Sequence, residues 1–201
     1  MTRQIASLTL IALLALSAPA SAQTLFFDNF NADVQGASTT TLLNWNVSNG
    51  TIDVIGDTPT AFFDFYLGNG NYVDLDGSSA DAARIETKSS FALAPGNYEL
   101  SFLLGKNGGS AESMVISVGS AFSTTFSSPA GTIAALTPTS FFFTVPSATT
   151  GTIVFDHAGG DNTGLVIDNV RLATVVPEAS SLALLAMSGA FGMVVLRRAK
   201  K

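Results

Sequence analysis

The sequence predicts an all-β domain, a β-sandwich or jelly roll, and three observations predict it. Gly, Ser, Thr, Asn and Asp recur every few residues from 23 to 174, with Phe and Val filling the spaces between them. No stretch there holds a helical period for ten residues. Several segments alternate apolar and polar residues with a period of two, the signature of a strand with one face buried.

Taken in order, strands are expected at 51–54, 61–67, 72–75 and 84–87, each bounded by turn residues. After the Pro95-Gly96-Asn97 turn, Tyr98, Leu100, Phe102 and Leu104 share one face of a further strand. Met114, Ile116 and Val118 line another, and Phe141, Phe143 and Val145 a third. Segments 152–156 and 165–172 complete about nine strands, a number and spacing typical of two packed sheets.

The two ends differ from this domain. Arg3 precedes an uncharged run from Ile5 to Leu16, then Pro19 and the small residues Ala20, Ser21 and Ala22. That order of charge, apolar helix and small residues is a secretory signal peptide over 1–22, cut by signal peptidase before Gln23. At the far end Leu182 to Leu196 is apolar except for Ser188, and Arg197, Arg198, Lys200 and Lys201 follow as a basic stop. Fifteen residues make a helix of ~22 Å against the ~30 Å of bilayer hydrocarbon, so a span drawn as 180–196 crosses only with snorkelling arginines. The positive-inside rule keeps that stop in the cytoplasm and leaves the domain, residues 23–175, on the outer side of the inner membrane.

With both ends removed the middle is strongly acidic. Residues 23–176 hold four basic side chains (Arg84, Lys88, Lys106, Arg171) and fourteen acidic ones, a formal balance of −10. Such a charge repels nucleic acid and anionic membrane surfaces and suits a soluble exported domain or a cation binder. There is no cysteine, so stability must come from a core or from metal rather than from disulfides.

Fifteen phenylalanines stand against one tryptophan and three tyrosines, and two inner sheet faces absorb most of the Phe. Trp45, Tyr66 and Tyr72 sit beside turn clusters, where an exposed aromatic with a polar tip stacks on a sugar ring; they are the candidate carbohydrate-binding residues. Catalysis has little to stand on. His157 is the single histidine, and no nucleophile elbow accompanies it, so no catalytic residue is assigned. A polysaccharide-modifying hydrolase built on paired carboxylates is the remaining enzyme reading.

Oxygen-ligand metal binding has more to recommend it. Asp74-Leu75-Asp76-Gly77 resembles the start of a calcium loop but fails the EF-hand register, with Ser79 at the sixth position and Ile85 at the twelfth. Simple alternation puts Asp168 on one side with Val166, Val170 and Leu172, where a carboxylate needs a cation, an arginine or a bulge that turns it outward. A structural Ca²⁺ held by Asp28, Asp76 and Asp168 is therefore expected, with Asp33 also available. Asp28 and Asp33 can reach Asp168 only if the first and last strands are neighbours.

Val176-Pro177-Glu178-Ala179-Ser180-Ser181, the apolar helix and Arg197-Arg198 together resemble the PEP-CTERM sorting signal, over 26 of the 201 residues. That family implies recognition of Pro177 and Glu178 by an exosortase-type membrane protease, which removes the helix and releases or transfers the protein to the surface. Ala179 stands where the family has its second proline. The middle is similar to jelly-roll domains related to galactose-binding-like carbohydrate modules. The carriers are 70–77, 93–98 leading into Leu100-Ser101-Phe102, and 164–170. The resemblance implies a β-sandwich, sometimes with structural calcium, that binds rather than catalyses. The expected protein is exported, held briefly at the inner membrane, and then placed at the cell surface or in the extracellular matrix, with exopolysaccharide or biofilm as partner.

Overall fold

A computed structural model of the chain describes residues 22–56, 64–131 and 133–176. Residues 1–21 of the expected signal, Pro177, Glu178 and Ala179 of the sorting motif, the span 180–196 and the basic stop lie outside the described residues. Among the described residues there is no helix, and so none long and apolar enough to cross a membrane.

Among the described residues, fourteen strands carry the fold. They are β1 (Thr24–Asp28), β2 (Gly36–Thr39), β3 (Trp45–Ser48), β4 (Ile52–Ile55), β5 (Tyr72–Asp74), β6 (Arg84–Thr87), β7 (Phe91–Leu93) and β8 (Gly96–Lys106), then β9 (Glu112–Val118), β10 (Phe122–Ser128), β11 (Ile133–Val145), β12 (Thr149–Gly151), β13 (Ile153–His157) and β14 (Leu165–Val175). Seven form one sheet in the order β11-β8-β14-β5-β4-β2, with β1 also paired to β14. Five form a second, β10-β9-β13-β6-β3, and β12 with β7 makes a small third. Every pairing is antiparallel.

The alternating segments place the core. Tyr98, Leu100, Phe102 and Leu104 on β8 are buried against Met114, Ile116 and Val118 on β9 and Ile153 and Phe155 on β13. Across the two sheets Phe102 meets Phe155 edge-on, with ring centroids 5.1 Å apart, and Phe26 meets Trp45 the same way at 5.4 Å. Such edge-to-face pairs add to the burial of the rings because the positive edge of one faces the negative face of the other.

Two findings depart from simple alternation. Residues 64–67 form a bend and turn rather than part of a strand, and Tyr66 folds back over the sheet; the rest of the expected strand, 61–63, lies outside the described residues. More consequential is the bulge in β14 between Asp168 and Arg171, with Asn169 at φ 51°. An extra residue in one strand shifts the parity of everything after it, and asparagine tolerates the left-handed conformation the shift requires. Leu165 and Ile167 before the bulge and Val170 and Leu172 after it all join the main core. Asp168 therefore shares a face with Val166 but not with Val170 and Leu172.

The bulge also divides the work of β14. Its first half pairs with β5 and its second half with β1, so the first and last strands of the domain are neighbours. Gln23 completes this pairing: its N–H donates to Thr174 Oγ1 at 2.8 Å and its carbonyl accepts the Thr174 N–H at 2.9 Å.

Candidate functional site

The three aromatics expected to meet sugar are all inside. Trp45 is 1% exposed, and its indole N–H donates to Asp28 Oδ2 at 2.8 Å. The Tyr66 hydroxyl accepts from the Lys106 N–H at 2.7 Å and donates toward the Lys106 and Ile133 carbonyls, while the Tyr72 hydroxyl donates to Asp64 Oδ1 at 2.7 Å. Each polar tip has found a buried partner, so the rings pack as core and none offers a face to solvent. Burial, with the Asp64 carboxylate beside it, holds the Tyr72 phenol above its ordinary range. The depression beside Trp45, about 280 Å³ and bordered by Thr40, Asn46 and Lys88, meets only the margin of that indole.

The candidate metal ligands fall into two places. At the first, Asp28 ends β1: its Oδ1 accepts the Phe30 N–H at 3.0 Å, and its Oδ2 takes the Trp45 indole and the Asn44 amide at 3.1 Å. Asp168 accepts the Asn169 N–H at 2.6 Å and the Asn169 side-chain amide at 3.2 Å. Burial, opposed by the Asn169 N–H and reinforced by the charge of Asp28, pushes the Asp168 carboxyl up to about 7. Asp33 accepts the Leu43 N–H at 2.6 Å and is raised by burial.

Asp76 belongs to a different cluster, at the opposite end of the paired half of β14. Its Oδ2 accepts the Gly160 and Asp161 N–H groups at 2.7 and 3.1 Å, while its buried Oδ1 has no hydrogen-bond partner among the described residues. Asp74 beside it accepts the Asp76 N–H at 3.1 Å and the Asn107 amide. Its carboxyl is pushed well above the ordinary range by complete burial, with Asp53 and Asp76 adding to the effect. Asp53 is saturated by the Ser38 N–H and by the N–H and hydroxyl of Ser78. The structure thus brings Asp28 and Asp168 together and leaves Asp76 apart. Among the described residues no group of three or more His, Asp or Glu converges in a geometry that holds a metal ion.

His157 is buried at the end of β13. Its Nε2 accepts the Leu165 N–H at 3.3 Å and lies 3.5 Å from Glu112 Oε2. Burial pulls the imidazole below its ordinary pKa against the opposing charges of Asp76, Asp161 and Asp156, so the ring is mainly neutral at pH 7, and its buried Nδ1 has no hydrogen-bond partner among the described residues. Among the described residues its partners are the Leu165 N–H and Glu112, with no serine or threonine hydroxyl at hydrogen-bond distance.

Of the exposed aromatics that sequence reasoning passed over, Phe27, Phe65 and Phe142, two lie on one sheet face. Phe27 is 53% and Phe142 68% accessible, both on the outer face of the seven-stranded sheet. Register aligns Phe27 with Arg171, Arg171 with Ser101 and Ser101 with Ser140; the next row aligns Glu99 with Phe142. Directly paired residues of antiparallel strands share a face, so these six form one surface. Glu99 lies at its centre, 4.0 Å from the Arg171 guanidinium and accepting the Ser140 hydroxyl at 2.8 Å. The signal was in the sequence: in Phe26-Phe27 and Phe141-Phe142-Phe143, a strand that buries one phenylalanine must turn its neighbour outward.

No known protein family and no curated protein sequence matches the chain. Solved structures similar to it include two carbohydrate-binding modules and part of a larger toxin. A carbohydrate-binding module of Cellvibrio mixtus lichenase 5A, solved with cellotriose, is 14% identical over 77% of this chain and all of its own, with a TM-score of 0.44. A family 35 carbohydrate-binding module of Clostridium thermocellum is 15% identical over 76% of this chain and 98% of its own, at 0.42. The chain spans about a fifth of the mosquito-larvicidal Cry4Aa toxin of Bacillus thuringiensis, 10% identical over 63% of this chain at a TM-score of 0.42.

Proposed function

We propose that the chain is a non-catalytic exported protein of the cell surface or extracellular matrix, sorted through its C-terminal tail by an exosortase-type protease and placed in contact with extracellular polysaccharide. The observation that carries this reading is the tail itself: Val176-Pro177-Glu178-Ala179, an apolar segment and four basic residues, in a chain whose first residues run Arg3, an uncharged apolar stretch and then Ala20-Ser21-Ala22. The geometry of the domain supports binding over chemistry. Its clustered carboxylates point inward onto backbone N–H groups, and its one imidazole is mainly neutral, with no serine or threonine hydroxyl at hydrogen-bond distance among the described residues.

Replacing Pro177 and Glu178 together by alanine should leave a longer form that fractionates with the inner membrane. Equal processing of the wild type and the double variant, on an immunoblot of cell fractions, would overturn the sorting mechanism.

A second reading, a carbohydrate-binding module with structural calcium, is favoured by the Asp28 and Asp168 pair. Calcium takes six to eight oxygens, and an Asp168 carboxyl held up by burial and by the charge of Asp28 is what a divalent cation relieves. Here Asp28 and Asp168 supply the charged oxygens, and the other ligands would be backbone carbonyls and water; Asp76 is too differently placed to join them. Thermal unfolding should then shift upward by several degrees in millimolar calcium relative to chelator. An unchanged midpoint would dispose of the metal.

A further inference from the structure

The seven-stranded sheet has an outer face with two unlike halves. Over one half, the segment carrying Tyr66 covers Ile55, Tyr72 and Val166, which form a second, smaller apolar cluster. Over the other, where β1, the second half of β14, β8 and β11 lie side by side, Phe27 and Phe142 stand open to water on either side of a polar centre. Isolated exposed side chains are ordinary, but a flat sheet face that buries its phenylalanines inward and still sets two outward at its margins presents a pattern.

We infer that this open half is a binding surface for a neutral polysaccharide chain, with Phe27 and Phe142 as stacking platforms at its two ends and the Arg171, Glu99, Ser101 and Ser140 side chains as the hydrogen-bonding floor between them. The inference rests on the reading of the domain as a polysaccharide-contacting module and gives that module its surface. Three strand spacings separate β1 from β11, and Phe142 lies one row further along, so the rings are about 16 Å apart. That distance suits several linked sugar rings rather than one.

The chemistry of the floor selects the ligand class. A sugar ring presents an apolar face of C–H groups and a rim of hydroxyls, each both donor and acceptor. The phenyl rings meet the first; a guanidinium that only donates, a carboxylate that only accepts and two hydroxyls that do both meet the second. Arg171 and Glu99 offset each other, so the face itself carries no net charge, while the segment 23–176 carries a formal −10. A polysaccharide rich in uronate or sulfate would approach against that field, whereas a neutral one is not opposed.

The test is affinity electrophoresis of the full-length chain, in a polyoxyethylene detergent that carries no sugar, through gels containing xylan, galactan, hydroxyethyl cellulose or alginate. Retardation is expected in at least one neutral gel and not in alginate. Phe27→Ala and Phe142→Ala should each weaken it roughly three- to tenfold, and Phe142→Trp should preserve or strengthen it, a result that a merely structural role would not give. Val115→Ala, which trims an exposed apolar residue on the other sheet, should leave it unchanged, and equal unfolding midpoints would show that all variants fold. Retardation that survives both alanine variants overturns this surface but leaves polysaccharide contact standing. Retardation confined to alginate overturns the ligand class, and no retardation in any gel overturns both this surface and polysaccharide contact, leaving the sorting mechanism to its own blot.

Discussion

Asp168 shows how one residue can combine packing and titration. Its carboxyl is buried at a bulge beside Asp28 and titrates near 7 in the folded protein against an ordinary 3.8. A group whose folded pKa is raised binds its proton more tightly in the folded state. The stability this gives is complete below 3.8 and is lost as pH rises through about 7. In chelator the wild-type midpoint should therefore fall between pH 4 and pH 7.5 by more than that of Asp168→Asn, whose amide keeps the acceptor for the Asn169 N–H but does not ionise. Calcium should narrow the difference by binding the carboxylate form. Parallel pH profiles for the two proteins in chelator, measured by thermal unfolding, would refute the assignment. Trp45 teaches the complementary lesson: its place in a polar turn cluster suggested exposure, yet the same polarity supplied Asp28, which allows the indole N–H to be buried without loss.

At the scale of elements, what the sequence made legible was periodicity. β8, β9 and the second half of β11 were readable from their period of two: β8 and β9 bury the residues expected of them, while on β11 Val145 is buried and Phe141 and Phe143 are half-buried. The short strands β7 and β12 have three residues apiece, too few for a period to declare itself. β10, Phe-Ser-Thr-Thr-Phe-Ser-Ser, was hidden by hydroxyl residues at the exposed edge of its sheet. β14 was read over the right residues but with the wrong face for Asp168, because a bulge conserves the strand while reversing its parity, and only Asn169 hints at it. The candidate site followed the same rule. The pairing of β1 with β14, which brings Asp28 to Asp168, was a condition that sequence could state but not fulfil, since it depends on contacts between residues more than a hundred positions apart. Asp76 was grouped with them on its calcium-loop-like Asp74-Leu75-Asp76-Gly77 segment, and topology sends it instead to the Gly160-Asp161 loop.

For the whole molecule, the governing feature is a surplus of negative charge with few partners to absorb it. Fourteen acidic side chains against four basic ones lie between residues 23 and 176, and the ion pairs formed among the described residues are Arg84 with Glu86 and Arg171 with Glu99, while Glu112 faces the lowered-pKa imidazole of His157. The first two are partly exposed, of the kind that contributes little to stability, so salt has little attraction to screen and much repulsion. Raising ionic strength from 0.01 to 0.15 M shortens the Debye length from about 30 Å to about 8 Å, which removes repulsion across the domain but spares contacts of a few ångströms. Unfolding in chelator should therefore move to higher temperature as NaCl is raised over this range and level off beyond it. The early part of the curve carries the distinction, because specific ion exclusion at molar salt would instead raise the midpoint steadily. A midpoint that falls with the first increments of salt would mean that attractive pairs dominate the folded state, and the account of the domain as a self-repelling acidic sandwich would be wrong.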